Sequence, residues 1–189
     1  MARVAFSSKA VDIADYANHH SDLEESLRAY FSPIAPTFDV RFLGESIANV
    51  NAALTQRLNE VDMGSALTVL SALEAKFRID YLQRCYRREK DSLSRAFRDL
   101  HKKKKTRVRL ETEILDIWKN YTNVEARVIS DLRAAFAFRH WLAHGRYWEP
   151  KLGRKYDFVT IYTLAVSVLT SFPLLGLEPI AAKITKVDD

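Results

Sequence analysis

The sequence predicts an all-α fold, an up-and-down bundle of four or more helices with an extra N-terminal helix. Three observations carry that expectation. Apolar residues recur at helical spacing along most of the 189 residues, and no segment alternates as a strand would. The five Gly and five Pro are few and scattered. A hydrophobic content of 48 % with 28 % charged residues is that of a globular chain and excludes a disordered one. The length suits a single domain over residues 1–189. Within it the pattern places an accessory N-terminal helix in 1–35, the bundle in 40–172 and a tail in 173–189.

The elements follow in order. A first helix is expected from Ala10 to Phe31, stopped by Ser32-Pro33-Ile34-Ala35-Pro36. A second runs from Val40 to Asn59. A long third starts near Val61 and aligns Met63, Ala66, Leu67, Leu70, Leu73, Phe77, Tyr81 and Cys85 on one stripe. It continues past Arg88 as a basic arm with a break at Asp91-Ser92. A short helix from Leu110 to Tyr121 comes next. Thr122-Asn123-Val124-Glu125 then fits a capping box, with Thr122 as N-cap and Glu125 at the third helical position. That helix ends at Ala143-His144-Gly145, where glycine is the usual residue just past a helix. The last helix spans Phe158 to about Ser171. It opens a stretch of 20 uncharged residues, but five Ser or Thr hydroxyls and Pro173 and Gly176 mark a buried bundle helix rather than a membrane span.

Composition also excludes several functions. The five glycines never cluster, so there is no P-loop, dinucleotide fingerprint or kinase glycine loop. A single cysteine, Cys85, makes neither an internal disulfide nor a multi-thiolate zinc site and suits a reducing, cytoplasmic setting. The opening segment shows no apolar signal core. Charge is unevenly spread. The chain nets +5, yet Lys76 to Arg109 holds 14 Lys or Arg against four acids, so the remainder nets −5. The peak is Lys102, Lys103, Lys104, Lys105 and Arg107. Such a peak reads either as a solvated helix end or as a surface for a polyanion, RNA above all.

One arginine stands on the wrong face. At about 100° per residue from Val124, Arg139 falls at about 60°, between Val128 at about 40° and Leu132 at about 80°. An arginine in an apolar stripe needs a carboxylate, or else lines a cleft that takes an anion. The same projection of the third helix from Met63 puts Glu74 at about 20°, also inward, so a buried Arg139–Glu74 pair without chemistry is one reading. His144 follows Arg139 by five residues, about 140° away on an ideal helix, but Gly145 lets the chain leave helical geometry there. His140 and His144 have metal-ligand spacing. No Glu follows His140 and no third ligand is near in sequence, so no metal is assigned.

The segment Arg139-His140-Trp141-Leu142-Ala143-His144-Gly145 resembles the R-x(4–6)-H motif of the HEPN superfamily, with the similarity extending over residues 40–171. The resemblance implies a metal-independent endoribonuclease of toxin or defence type that needs no cofactor and works as a homodimer with two motifs in one cleft. It implies Arg139 and His144 as the catalytic pair, with His140 as the polar residue after the arginine. It also implies a cognate antitoxin, of nucleotidyltransferase type or another. Glu74, from helical phase, is expected to orient or balance that pair. In some members a tyrosine two residues after the histidine is modified with AMP. Here Arg146 holds that place and Tyr147 follows, which departs from the pattern. Tyr147 and Trp148 either stack on a base or pack under the loop, packing being the expectation. Two other readings compete: a HEPN-like module that binds RNA or a partner without cutting, and a scaffolding bundle.

Overall fold

The computed structural model describes residues 4, 6 and 11–176. Among them every regular element is helical, so the all-α class is found. The order is α1 (Ile13–Tyr30), α2 (Phe38–Arg41), α3 (Ile47–Arg87), α4 (Ser92–Lys104), a π-helical turn (Leu110–Ile114), α5 (Leu115–Tyr121), α6 (Ala126–Ala143) and α7 (Phe158–Ser171). Ala10, the expected start of the first helix, and residues 177–189 of the expected tail lie outside the described residues. Among the described residues no helix is long and apolar enough to cross a membrane. The chain divides into two compact units. The first draws on residues 73–136 and 166–176, the second on 11–72 and 137–165.

Two expected boundaries are corrected. The second and third helices are one, α3, running unbroken through Asn59 and Glu60. No proline or glycine stands between Asn59 and Asp62, and a shift in apolar phase does not break a backbone ladder. The stop lies earlier, at Gly44, and Ser46 starts the helix by accepting the Asn49 N–H at 3.1 Å. The capping box is the other correction. The Thr122 hydroxyl donates back to the Trp118 carbonyl at 2.6 Å and accepts the Val124 N–H at 3.3 Å, but residues 123–125 after it do not form the first turn of a helix. Helix α6 therefore starts at Ala126, with Glu125 as its N-cap. The expected break after Arg88 is present: Asp91 caps α4 by accepting the Ser94 N–H at 2.9 Å.

In the second unit, Asp12 caps α1 and Asp157 caps α7 through the Thr160 N–H. His20 of α1 is buried, bonded through Nδ1 to the Ser65 hydroxyl at 2.9 Å and stacked on Phe158 at 3.8 Å between centroids. Asp62 of α3 accepts the Phe158 N–H, which fixes where α7 begins. Phe31, Phe38 and Val50 form a separate small cluster with Phe42 and Leu54.

The first unit is built around Trp118. Its ring meets Phe172 at 5.1 Å and Phe77 and Phe97 at 6.4 Å each. Arg84 lies over it, with the guanidinium carbon 5.3 Å from the centroid. All three nitrogens of that guanidinium donate hydrogen bonds. It donates through Nε to both Asp80 oxygens at 2.9 and 3.1 Å, through Nη2 to the Pro173 carbonyl at 2.7 Å, and through Nη1 to Ser94 at 3.4 Å. Asp80, fully buried, also accepts the Leu175 N–H at 2.7 Å. Burial pushes the Asp80 carboxyl up to about 6, against the pull of the Leu175 N–H and Arg84. Burial likewise raises the lone Cys85 thiol to about 11, which leaves it unreactive at neutral pH.

Removing one member of this pair strands a buried charge. Asp80→Ala should lower stability by about 3–5 kcal/mol in urea denaturation; a loss below about 1 kcal/mol would mean that Arg84 finds water instead. The pH dependence has a defined sign. Between the ordinary value of 3.8 and about 6 the folded chain keeps a proton on Asp80 that the unfolded chain has released. The Asp80 contribution to stability is thus full below that window, falls as pH rises through it, and levels off above. The difference between wild-type and Asp80→Asn stability, measured across pH 4 to 7, isolates this dependence.

Candidate functional site

Helix α6 ends in a glycine-centred cap. The Gly145 N–H bonds to the Leu142 carbonyl at 3.3 Å and the Arg146 N–H to the Trp141 carbonyl at 3.2 Å. Gly145 has φ +81°, so this is a Schellman arrangement with His144 as the last half-helical residue. The cap is held from two further directions within the second unit. The Arg146 fork donates to both Glu60 oxygens of α3 at 2.9 Å each, which holds the Glu60 carboxyl below the usual carboxylate range. The Trp141 indole N–H donates to the Trp148 carbonyl at 2.7 Å and closes the loop over its own helix.

This geometry places the motif residues. Arg139 is half-buried on α6, between buried Leu132 and Ala135 in angular position around the helix, while His140 and His144 are exposed. The two imidazoles meet, with centroids 4.2 Å apart and planes tilted by 51°. Trp148 stands 6.1 Å from His140, and Tyr147 stands 4.6 Å from Trp148. Packing accounts for Trp148, which is half-buried. Tyr147 is 83 % exposed, so its ring is not packed under the loop. Among the described residues no group of three or more His, Cys, Asp or Glu side chains comes together as metal ligands.

The other expected residues lie in the first unit. Glu74 is half-buried and accepts the Arg78 Nε–H at 2.8 Å, one turn along its own helix. Arg78 also donates to the Val108 carbonyl at 3.1 Å and so ties α3 to the chain entering the π turn. The lysine segment forms the last turn of α4 and the loop after it. Lys102, Lys103, Lys104, Lys105 and Arg107 are all exposed. Lys102 pairs with Asp99 at 2.8 Å, and Lys104 pairs with Glu113. Beneath them the Tyr81 hydroxyl donates to the Lys105 carbonyl at 2.7 Å and sits 3.0 Å from Nδ1 of buried His101. A hydroxyl has one proton, so His101 is the donor in that second bond. Burial pushes Tyr81 upward and keeps it protonated.

Sequence reasoning missed two positioning residues, Arg146 and Glu60. Arg146 directly follows the cap, but its partner is 86 residues earlier and no local pattern links them. A residue with a side chain at position 145 should strain the cap and nothing else, because a Cβ there would meet no atom within 4 Å. Gly145→Ala should therefore cost about 1–2 kcal/mol in urea denaturation, and Gly145→Asn less, since asparagine adopts the left-handed region more readily. Comparison with models of protein families, with curated proteins and with solved structures finds no match to this chain.

Proposed function

We propose that the chain is a metal-independent endoribonuclease of toxin or defence type, similar to the HEPN superfamily, acting as a homodimer on RNA. The observation that carries this reading is an R-x4-H segment on the last turn of α6, with Arg139 half-buried and His144 exposed at a capped helix end. The residue types suit the reaction. RNA carries its own nucleophile, the 2′-OH, so the protein need only move protons and balance charge. Histidine is the side chain that gains and loses a proton near neutral pH. Arginine offers a planar fork to a phosphate whose negative charge grows in the transition state.

In this mechanism His144 of one subunit takes the 2′-OH proton as the 2′-oxygen attacks phosphorus. The P–O5′ bond breaks, and the 5′-oxygen receives a proton from His144 of the second copy. Arg139 stabilises the charged phosphorane, and the products carry a 2′,3′-cyclic phosphate and a 5′-hydroxyl. His140, in ring contact with His144, is in a position to orient it. The exposed lysine segment supplies a sequence-independent contact to phosphates, one that weakens with salt. Tyr147, exposed beside the motif, offers a ring on which a base can stack. A cognate antitoxin would cover the same surface.

The test is cleavage of total RNA and tRNA by purified protein in EDTA. Wild type should cut and leave cyclic-phosphate ends. His144→Ala should slow cutting by about 10²–10⁴-fold, and Arg139→Ala by about 10²–10³-fold, with helicity unchanged by circular dichroism. Binding without cutting would instead favour the non-catalytic RNA- or partner-binding module, and neither binding nor cutting would remove the reading.

A further inference from the structure

Large apolar side chains crowd one corner of the second unit, between the end of α1 and the start of α3. Ile34 is 92 % exposed, Leu43 87 % and Val40 82 %, and Tyr30 and Ile47 at the two ends of the segment are exposed as well. Single exposed apolar residues are ordinary on a surface. These five in one short segment leave on the order of 600 Å² open, as much as the largest apolar patch of a typical monomer.

Two of them stand at the tips of turns. The Ala35 N–H bonds to the Ser32 carbonyl at 3.0 Å and closes a turn with Ile34 at its tip, after Pro33. The Glu45 N–H bonds to the Phe42 carbonyl at 2.9 Å and closes a second turn, in which Gly44 at φ +84° leaves Leu43 at the tip. Turn tips face water and favour Gly, Pro, Asn, Asp or Ser, so two large aliphatic residues there run against the local chemistry. The inward side of the same segment is already served: Phe31 and Phe38 are buried with Val50, and Phe42 packs on them.

Next to the tips lies a groove of about 370 Å³, lined by Leu27, Tyr30, Phe31, Phe42, Ala53 and Arg57. Phe42 directly precedes Leu43, so an apolar knob and an apolar groove are neighbours on one copy. Such a pair is self-complementary, because a two-fold axis lets each copy seat its knob in the groove of the other. The charges agree. Asp39, Arg41, Glu45 and Arg57 sum to zero, and Arg41 is held over the Tyr30 ring at 4.1 Å while it donates to the Tyr30 carbonyl at 3.1 Å. A strongly charged partner, nucleic acid or an anionic membrane included, meets no net field here, whereas a second copy needs none.

We propose that two copies of the chain pair through this corner, with Leu43 of each seated in the groove of the other and Ile34 and Val40 packed around it. The area suffices, since the exposed side chains supply most of the ~800 Å² that one partner brings to an interface of standard size. The ribonuclease reading requires two copies but no particular surface; pairing through this corner stands on its own residues, whether or not RNA is cut.

Sedimentation velocity of the full chain tests the pairing. At tens of micromolar the wild type should sediment as a particle of twice the 21.7 kDa chain mass. Leu43→Lys sets a cation against Arg57 of the other copy and should raise the dissociation constant about 100-fold. Arg57→Glu added to Leu43→Lys should restore the dimer. Ala53→Trp fills the groove and should break the pairing from the other side without touching either tip. Val159→Asp, at an exposed apolar position on α7 outside the corner, should leave the mass unchanged. Circular dichroism and melting temperature check that each variant is folded. A monomeric wild type, a dimer that Leu43→Lys and Ala53→Trp leave intact, or a dimer that Val159→Asp breaks as readily overturns the proposal. A dimer sensitive to the corner but without RNA cleavage keeps this face and removes the ribonuclease; cleavage by a monomeric chain does the reverse.

Discussion

The buried Asp80–Arg84 pair organises the first unit. Neither charge can be tolerated alone away from water, and together they hydrogen-bond to the chain on either side of the helix. Arg84 collects the Pro173 carbonyl and the Ser94 hydroxyl, and Asp80 collects the Leu175 N–H. One helical turn of α3 thereby fixes the start of α4 and the segment after α7. Trp118 closes the arrangement by placing its ring against the guanidinium. The raised Asp80 carboxyl shows that burial outweighs the attraction of its donors. The pair is thus expensive to assemble, and breaking it costs still more, because the surviving partner stays buried.

The same device recurs in the second unit in milder form. Asp62, only half-buried, accepts the Phe158 N–H and sets the start of α7. Glu60, nearly on the surface, takes the Arg146 fork and sets the turn after α6. Carboxylates along α3 act as fixed acceptors, and later segments dock on them. The depth of each acceptor scales its consequence: exposed Glu60 is screened by solvent, whereas Asp80 is not. The motif therefore sits on a helix end whose exit path is set by Arg146, the Trp141–Trp148 bond and Gly145 together. His144 still keeps helical register, its N–H donating to the His140 carbonyl at 3.1 Å, so its ring meets that of His140 across a single turn.

Part of the site was legible because its signals are local. Glycine after the last apolar residue marks the end of α6, and the projection of Arg139 onto an apolar stripe marks it as unusual in sequence alone. Asp91 as a break in the basic arm was equally local, because a short acid before a serine-rich turn accepts the next N–H groups. The failures share a cause. Thr122 resembled an N-cap and does accept the Val124 N–H, but the chain enters the helix only at Ala126, with the Glu125 carbonyl taking its first bond. The division between the second and third helices came from apolar phase, which reports which face is covered rather than whether the backbone continues. The stacking of Phe138 on Tyr156 had no sequence signal, because it joins α6 to the loop before α7 through rings that only packing brings parallel.

The sequence by itself determined the all-α class, most helix ends, the concentration of positive charge before Arg109 and the Arg139–His144 spacing. Each of these depends on neighbours within a few residues, where propensity, caps and the 3.6-residue repeat act directly. Tertiary structure decided which charges are buried and what they hold. Asp80, Arg84, Glu60 and Asp62 look alike in sequence as ordinary helix-surface residues. Each has a partner 86 to 96 residues away in sequence. Contacts over that separation form only when the chain has closed, and their energy is set by the dielectric of the closed state, which no local pattern encodes.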